Sequence, residues 1–254
     1  MHAASVWTAP ASATLEAVES PISERFEVVR LGAVRYGPAL EAQRAHHAEV
    51  LAGREARCAH RVLLVEHPPT ITVTRRPDAA AHVLAGADAL AAAGVERCET
   101  DRGGDVTYHG PGQAVVYPIV DLQRLRLGIH AYIRALEQAA IDTCAAWGLA
   151  CGREEGATGV WTRAVRGRPA RKVAAIGVRV SRGVTMHGLA LNVAPDLSHF
   201  SLIVPCGLHG REVTSMRAKL GEACPSPDEA GVRLADAVVR AVLAASAAGP
   251  VTRP

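Results

Sequence analysis

The sequence lacks the patterns that mark several common classes of protein. No two of its six cysteines form a Cys-x-x-Cys pair, which argues against a disulfide framework and against a tetrahedral zinc site. No run of about 18 uncharged apolar residues suggests a membrane span. A Walker-type phosphate loop is absent as well. We therefore expect reduced thiols, no bound metal and no membrane partner.

A strong net charge and a signal peptide are also missing. The chain has 28 basic and 25 acidic residues among 254, so we expect no nucleic-acid partner, and any electrostatic partner must meet a local patch. No Lys or Arg precedes Arg25, and the same stretch includes Glu16 and Glu19, unlike a signal peptide. We expect a cytoplasmic protein. Its expected parts are a flexible tail, one large domain and a frayed end, at residues 1–25, 26–248 and 249–254.

Hydrophobic periodicity predicts a chain in which most strands follow one another, with helices between some of them. Apolar side chains at steps of three and four in residues 129–147 predict a helix with Cys144 in the core. The predicted strands are 26–34, 62–66, 70–74, 114–120, 159–162, 173–181 and 184–193. The other predicted helices are 38–54, 85–93 and one that opens at the capping box of residues 226–229. This order is typical of an α+β domain with a mixed, largely antiparallel sheet flanked by helices.

A glycine-rich tract at residues 102–113 reads Arg-Gly-Gly-Asp-Val-Thr-Tyr-His-Gly-Pro-Gly-Gln. Glycine is used where the backbone needs a positive φ or where a ligand must approach it closely. Thr107, Tyr108 and His109 offer donors and acceptors, and Arg102 supplies a fixed cation. The tract therefore predicts a binding loop, and a plain hairpin loop with turn glycines is the alternative.

Cys206 differs from the other cysteines because Pro205 precedes it, Gly207 follows it, and an apolar run comes just before. This setting favours a thiol at the rim of a core, although a buried core thiol is the alternative. A reactive thiol needs a base or a cation beside it, because a free thiol has a pKa near ~8.5. Candidate partners are Lys172, His109, His187, His199 and His209.

Small residues recur on two predicted strands that a turn at Arg182-Gly183 joins into a hairpin. Ala175 and Gly177 share one side of the first strand, and Gly188 and Ala190 share one side of the second. If these sides coincide, they leave room above the sheet for a slim apolar ligand such as a linear acyl chain. Close packing of a helix on the sheet is the alternative.

Five tracts together resemble the lipoate-protein octanoyltransferases, which move an octanoyl group from acyl carrier protein to a target protein in lipoate synthesis. The tracts lie in the family's order within residues 26–220. They are His67-Pro68-Pro69, Arg-Gly-Gly-x-x-Thr-Tyr-His-Gly-Pro-Gly-Gln at 102–113, Lys172-Val-Ala-Ala-Ile-Gly177, His187-Gly-Leu-Ala-Leu-Asn-Val193 and Pro205-Cys206-Gly207. The resemblance implies a fold similar to the catalytic domain of biotin and lipoate ligases.

The resemblance also implies a chemistry that needs no cofactor. Cys206 matches the family's nucleophile, which forms an octanoyl thioester, and Lys172 matches the lysine that lowers the pKa of that thiol. The implied donor is octanoyl-acyl carrier protein, and the implied acceptors are lipoyl domains of 2-oxoacid dehydrogenases and the glycine cleavage H protein. The positions that match substrate-contacting segments are Arg102, Gly103, Gly104, Asp105, Val106, Thr107, Tyr108, His109, Ala175, Ile176, Gly177, Gly188, Leu189 and Ala190.

Two segments depart from the family's pattern. Thr74 stands where the family usually has glycine before an arginine. The contour of the acyl pocket therefore does not follow directly from the resemblance. Residues 163–171 form a longer and more basic loop, which favours recruitment of acidic carrier proteins by electrostatic steering or is simply solvated.

Three other functions compete with this interpretation. An ATP-dependent lipoate or biotin ligase would share the fold, but would depend on ATP and would not need a Pro-Cys-Gly nucleophile. A Cys-His hydrolase would release free octanoate. A non-catalytic module that binds carrier proteins would keep its function without Cys206.

Overall fold

An eight-stranded mixed sheet forms the centre of the fold in the computed structural model, which describes residues 13–14, 24–164, 167, 169–204 and 211–249. Neighbouring strands pair antiparallel, except that the second and third strands of the chain pair parallel. In spatial order the strands are β1 (Ala13–Thr14), β2 (Phe26–Ala33), β3 (His60–Glu66), β7 (Gln113–Ile119), β11 (Val184–Asn192), β10 (Lys172–Ser181), β9 (Ala157–Thr162) and β8 (Cys151–Glu154).

A three-stranded sheet lies beside the large one and holds the glycine-rich tract. Its strands, in spatial order, are β5 (Glu96–Thr100), β4 (Thr70–Thr74) and β6 (Val106–His109). The central strand β4 pairs parallel with β5 and antiparallel with β6. The chain leaves the large sheet at the end of β3 and enters the small one after Pro68-Pro69, so the two prolines separate two sheets rather than two strands of one sheet.

Five α-helices and three short 3₁₀ segments complete the described fold. The helices are α1 (Tyr36–Ala52), α2 (Ala87–Ala92), α3 (Ile129–Ala145), α4 (Met216–Leu220) and α5 (Pro227–Ala247), and the 3₁₀ segments are Ala79–His82, Leu197–Leu202 and Gly221–Ala223. Helices α3 and α5 pack together on one face of the large sheet, and α1 covers β3, β7 and β11. Among the described residues, no helix is long and apolar enough to cross a membrane.

The predicted α+β class with a mixed, largely antiparallel sheet is confirmed. The predicted capping box is also present: Ser226 Oγ accepts from the backbone N–H of Glu229, and the Glu229 carboxylate accepts from the backbone N–H of Ser226. Cys144 is fully buried on α3, as its spacing predicts. Helix α1 begins two residues before the predicted start at Pro38, which still lies in the first turn where its missing N–H costs nothing.

The sequence gives no signal for β5, β6 or β8. Strand β5 reads Glu-Arg-Cys-Glu-Thr and lies at the edge of the small sheet, so it shows no apolar alternation and depends on pairing with β4. Strand β6 lies inside the tract predicted as a continuous loop, between two glycine pairs. Its residues are strand because β4 supplies hydrogen-bonding partners that local propensity does not reveal.

Candidate active site

The first half of the glycine-rich tract lies against strand β10. The backbone N–H of Gly103 donates to Val178 O at 2.9 Å, and a Cβ at Gly177 would lie 2.8 Å from the carbonyl oxygen of Gly103. Arg102 donates from its guanidinium to Thr72 Oγ1 at 2.9 Å and to Thr72 O at 3.1 Å. The absence of a side chain at Gly177 therefore allows the loop to approach strand β10 closely, and it also leaves open space above the sheet.

The second half of the tract follows the two-residue alternation of strand β6. Thr107 and His109 point into a cavity between the two sheets. Val106 and Tyr108 point the other way, into an apolar core beneath the small sheet. All four are buried, so the tract is a binding loop followed by a structural strand with one functional face.

The small residues of the β10–β11 hairpin are direct cross-strand neighbours. Ala175 pairs with Ala190, and Gly177 pairs with Gly188. About 460 Å³ of space free of protein atoms lies above them, counting the open mouth of the cavity. The predicted substrate-contacting residues that line it are Arg102, Gly104, Asp105, Thr107, His109, Ala175, Ile176, Gly177, Gly188, Leu189 and Ala190.

Three predicted substrate-contacting residues are not among the residues that line this cavity. They are Gly103, whose backbone holds the loop on β10, and Val106 and Tyr108, which belong to the core beneath the small sheet. Three lining residues were not in that predicted set: Tyr36, Tyr117 and His187. His187 opens a recognised tract, whereas neither tyrosine has a sequence signal, because the fold brings them in from α1 and β7.

Neutral histidines lie at and behind the cavity wall: His109 lines the cavity, and His67 lies behind it with the two ring centroids 5.5 Å apart. His67 Nδ1 donates to Val34 O at 2.6 Å, so its Nε2 accepts from the Tyr117 hydroxyl at 2.7 Å. Burial lowers the pKa of His67 to about 4. Burial also lowers the pKa of His109 well below its usual value, assisted by the nearby His67 and Arg102. These rings therefore add no charge to the cavity wall, whose lining also includes the charged side chains of Arg102 and Asp105.

His187 has a left-handed backbone conformation, with φ of 57°, inside strand β11. Its backbone N–H donates to Gln43 Oε1 at 2.8 Å, so that N–H is not available as an oxyanion donor. Its Nε2 lies 2.9 Å from Asp101 Oδ1, where a neutral ring donates its proton. Burial, together with Arg102, Arg179 and Arg44, lowers the pKa of His187 to about 3. The bond to Gln43 fixes the backbone of His187, and the contact with Asp101 fixes its ring at the cavity wall.

Lys172 lies in a small cavity that adjoins the larger one. The side chain is buried, and its Nζ is 4.8 Å from the centroid of the Trp161 ring. The two cavities share Thr107 and Ala175 as lining residues. Position 172 is held by its backbone, since its N–H donates to Glu212 O and its carbonyl accepts from Thr214 N, both at 2.9 Å. The structure thus brings Lys172 next to the glycine-rich tract and the hairpin.

Cys206 and His209 lie outside the described residues, within the segment 205–210. The described chain on either side is fixed close to the two cavities. Before the segment, the Val204 N–H donates to His82 O at 2.8 Å. After it, Glu212 contacts Lys172 as given above. The role of Cys206 stays a prediction.

The remaining predicted features occupy structural positions. His199 Nδ1 lies 2.7 Å from the hydroxyl of Tyr108, on the far side of β6 from the cavity. Thr74 donates to Gly104 O at 3.2 Å, so the departure from glycine adds a hydrogen bond to the loop. In the basic loop, Arg171 pairs with Glu212 at 2.5 Å, and Arg166 and Arg168 lie outside the described residues.

A third cavity is separate from the two described above. It has about 770 Å³ of space, counting its open mouth, and lies between β2, β3 and the beginning of α5. Arg30, Glu66 and Asp228 are among its lining residues, and none of the predicted substrate-contacting residues is. Within the described part of the chain, no cluster of His, Cys, Asp or Glu has the arrangement of a metal site. The convergence of the predicted residues therefore assigns the candidate site to the cavity between the two sheets.

Comparison with known proteins identifies the family. A model of the lipoyl protein ligase A/B catalytic domain matches residues 36–238. Curated octanoyltransferases of Solibacter usitatus and Acidobacterium capsulatum are 50% and 47% identical to the chain, over 80% and 77% of its length and 87% and 80% of theirs. The chain belongs to the octanoyltransferase family. It is therefore an acyltransferase, and the reaction of its family is octanoyl transfer in lipoate synthesis.

Solved structures agree with this family at the level of the fold. A putative lipoate protein ligase from T. acidophilum with bound lipoic acid superposes with a TM-score of 0.59 at 14% identity, covering 86% of this chain and 84% of that one. The predicted similarity of fold to lipoate ligases is confirmed. For this octanoyltransferase, the relation to ligases is one of architecture.

Acid is expected to destabilise this octanoyltransferase through its buried histidines. Because the pKa of His67 is about 4 when folded and ~6.5 when unfolded, its contribution is complete above pH 6.5 and is lost as the pH falls toward 4. Between pH 7 and pH 5 this amounts to about 2 kcal/mol of unfolding free energy. In denaturant titrations His67→Gln should show a pH dependence shallower by that amount. An unchanged pH dependence would contradict the assignment.

Gly159→Ala is expected to impair turnover by displacing Lys172. Gly159 has a φ of 120°, and an added Cβ would lie 2.7 Å from Ala174 O and 3.3 Å from Lys172 Cε. If Lys172 has the catalytic role that the resemblance implies, a small misplacement of its side chain costs rate, and kcat should fall at least about tenfold. Gly156→Ala is the matched control, because Gly156 also has a positive φ, of 71°, but open space around it. Equal kcat values for the two variants would contradict this role of Gly159.

Proposed function

We propose that this octanoyltransferase takes the octanoyl group from acyl carrier protein onto Cys206 and passes it to a lysine of a lipoyl domain. The observation that supports this most directly is the buried Lys172 in a small cavity next to the one above the β10–β11 hairpin, with Thr107 and Ala175 lining both. An acyl group held in the larger cavity would have its carbonyl end toward the lysine. The Pro205-Cys206-Gly207 tract follows Val204 directly. The backbone N–H of Val204 donates to the carbonyl oxygen of His82, beside the same loop.

The larger cavity has the properties of an acyl-chain site. Ile176 and Leu189 supply apolar surface. The pairs Ala175–Ala190 and Gly177–Gly188 have little or no side chain, so they leave space above the sheet. Tyr36 and Tyr117 at the cavity wall are uncharged at neutral pH, because burial raises the pKa of both phenols. An octanoyl chain against Ile176, Leu189 and the small residues of the hairpin loses contact with water, which favours binding by its apolar area.

The first half-reaction exchanges one thioester for another. The Cys206 thiolate attacks the carbonyl carbon of the donor, a carbon–sulfur bond forms to Cys206, and the carbon–sulfur bond to the phosphopantetheine arm breaks. The departing thiolate takes up a proton. Reactant and product are both thioesters, so positioning and electrostatic stabilisation supply the rate. A cation about 4 Å from the thiol favours the thiolate by roughly 1.4 to 3 kcal/mol, and Lys172 would supply that charge.

The second half-reaction forms an amide. The amine of the acceptor lysine attacks the thioester carbonyl, the carbon–nitrogen bond forms, and the bond to Cys206 breaks, which regenerates the thiol. The attacking amine must lose a proton, and Lys172 is the group we assign to accept it. Lys172 would be neutral at this stage because it would have given its own proton to the departing phosphopantetheine thiolate in the first half-reaction, and the proton from the amine restores its charge beside the released Cys206 thiolate. Gly159 and Trp161 border the Lys172 side chain and hold it in place for both steps.

Basic residues near the site favour acidic partner domains. Arg163 is exposed, whereas Arg211 is half-buried, pairs with Glu154 and stacks over Trp161 with 4.4 Å between the guanidinium carbon and the ring centroid. Charge complementarity of this kind raises the rate of encounter with acidic domains. The donor carries its acyl group on the long phosphopantetheine arm, and the acceptor offers a lysine side chain, so such encounters would bring each reacting group to the cavity mouth.

A transfer assay with and without ATP tests this function. With octanoyl-acyl carrier protein as donor and a lipoyl domain as acceptor, we expect octanoylated lipoyl domain at equal rates in both conditions. With free octanoate and ATP, we expect no product. Product formed only from free octanoate and ATP would show a ligase, and release of octanoate without transfer would show a hydrolase.

A further inference from the structure

Residues 82–85 and 202–204 form a short backbone ladder next to the candidate site. Val83 and Ile203 make an antiparallel bridge. Leu84 N donates to Leu202 O, and Val204 N donates to His82 O, both at 2.8 Å. The ladder packs on the core beneath the small sheet, which includes Ile203. The last described residues before Pro205 are thus fixed to the segment that holds His82.

The His82 side chain contacts the glycine-rich tract from this ladder. Its Nδ1 lies 2.6 Å from Oδ2 of Asp105, and the Asp105 side chain is 7% exposed. The other carboxylate oxygen, Oδ1, is buried and has no hydrogen-bond partner among the described residues. A buried carboxylate is costly without compensation. The contact with His82 therefore binds the two segments more strongly than a surface pair would.

We propose that His82 and Asp105 form a positioning pair that couples the wall of the acyl cavity to the segment leading to Cys206. The inference rests on the proposed function, because it assigns the coupling to the acylation step. Asp105 lines the cavity, and the backbone carbonyl of His82 holds Val204, two residues before Cys206. Through this pair, the loop that lines the cavity and the segment that ends at Val204 keep one relative position.

The expected consequence is kinetic. Positioning of a nucleophile against a bound acyl group changes the rate constant for acylation and leaves donor affinity unchanged. Breaking the pair from either side should have the same effect, because each side chain acts through the other. A purely structural role would instead lower thermal stability without separating rate from affinity.

A double-mutant cycle in the full-length protein tests the pair. The variants are His82→Ala, Asp105→Ala and the double variant, with His130→Ala and Asp142→Ala as controls because both side chains are exposed and distant in sequence from His82 and Asp105. Rapid-quench acylation by octanoyl-acyl carrier protein gives the rate constant at saturation and the apparent Kd. Thermal unfolding is measured for every variant.

We expect each single variant to acylate about tenfold more slowly at saturating donor, with Kd within about twofold, and the double variant to be no slower than the singles. Asp105→Asn keeps an oxygen for His82 and should stay within about threefold of the unmodified protein. If His82→Ala does not fold, the acylation rate constants of Asp105→Ala and Asp105→Asn are compared instead. A loss in Asp105→Ala that Asp105→Asn does not share supports the pair, and equal rates contradict it.

Three outcomes would overturn the positioning pair. They are single variants within twofold of the unmodified protein, additive losses in the double variant, and a change in Kd alone. Cys206→Ala in the same assay separates this inference from the proposed function. If Cys206→Ala still forms the adduct, the proposed function fails; if it does not and the pair variants acylate normally, only the positioning pair fails.

Discussion

Replacing Cys206 with Ala is expected to lower octanoyl transfer by at least about 10³-fold and to remove the covalent octanoyl adduct at the same time. The loss should be this large because none of the described cysteines lines either cavity of the candidate site. Cys144 is fully buried and Cys224 is nearly so. Burial and the neighbouring Glu96 raise the pKa of Cys98 to about 12, so its thiol stays protonated at neutral pH. Steady-state transfer and intact mass are the two measurements.

Cys58→Ala is the matched control for this variant. Cys58 is an exposed free thiol, so its removal changes the thiol count by one without touching the candidate site. We expect full transfer and a normal adduct from Cys58→Ala. If Cys206→Ala transfers at the normal rate, the thioester route is excluded and the binding-module or ligase interpretation returns.

Lys172→Arg is expected to slow transfer to the lipoyl domain more than it slows acylation. Arginine retains a positive charge that supports the thiolate, but it cannot act as a base, because its pKa is above 12 in proteins. The loss in the transfer step should therefore approach the ~10²-fold or more that general-base catalysis contributes, with a loss of about tenfold in acylation. Single-turnover measurements of the two half-reactions give both values.

Two further variants make this comparison decisive. Lys172→Met removes both the charge and the base, so both half-reactions should fall and the pH at which the thiol becomes reactive toward an alkylating agent should rise. Lys219→Arg makes the same chemical change on an exposed turn of α4 and should leave both rates unchanged. Equal losses in the two half-reactions of Lys172→Arg would contradict the role of Lys172 as base.

Much of the fold follows from local features of the sequence. The periodicity of α3 predicts the burial of Cys144, and the Ser226 capping box predicts the start of α5. The alternation of small residues on the hairpin predicts a low sheet face, and the register Ala175–Ala190 and Gly177–Gly188 shows that the two small faces coincide. These features are local or depend on one hairpin register, which is why a sequence reveals them.

The rest depends on contacts between distant parts of the chain. Strands β5 and β6 exist because β4 pairs with both, and the division into two sheets after Pro68-Pro69 has no local signal. Tyr36 and Tyr117 reach the cavity from α1 and β7, and His82 meets Asp105 through a ladder with residues 202–204. Non-local pairings of this kind are set by tertiary packing rather than by propensity.

The most direct test of the thioester mechanism is an intact mass of the protein after incubation with octanoyl-acyl carrier protein in the absence of ATP. The sample should be kept mildly acidic and free of reductant, so that a thioester survives. We predict one octanoyl adduct per chain that is absent in Cys206→Ala and disappears when a lipoyl domain is added, as the same mass appears on that domain. No adduct from an active donor, or an adduct that survives the Cys206→Ala change, would contradict the account.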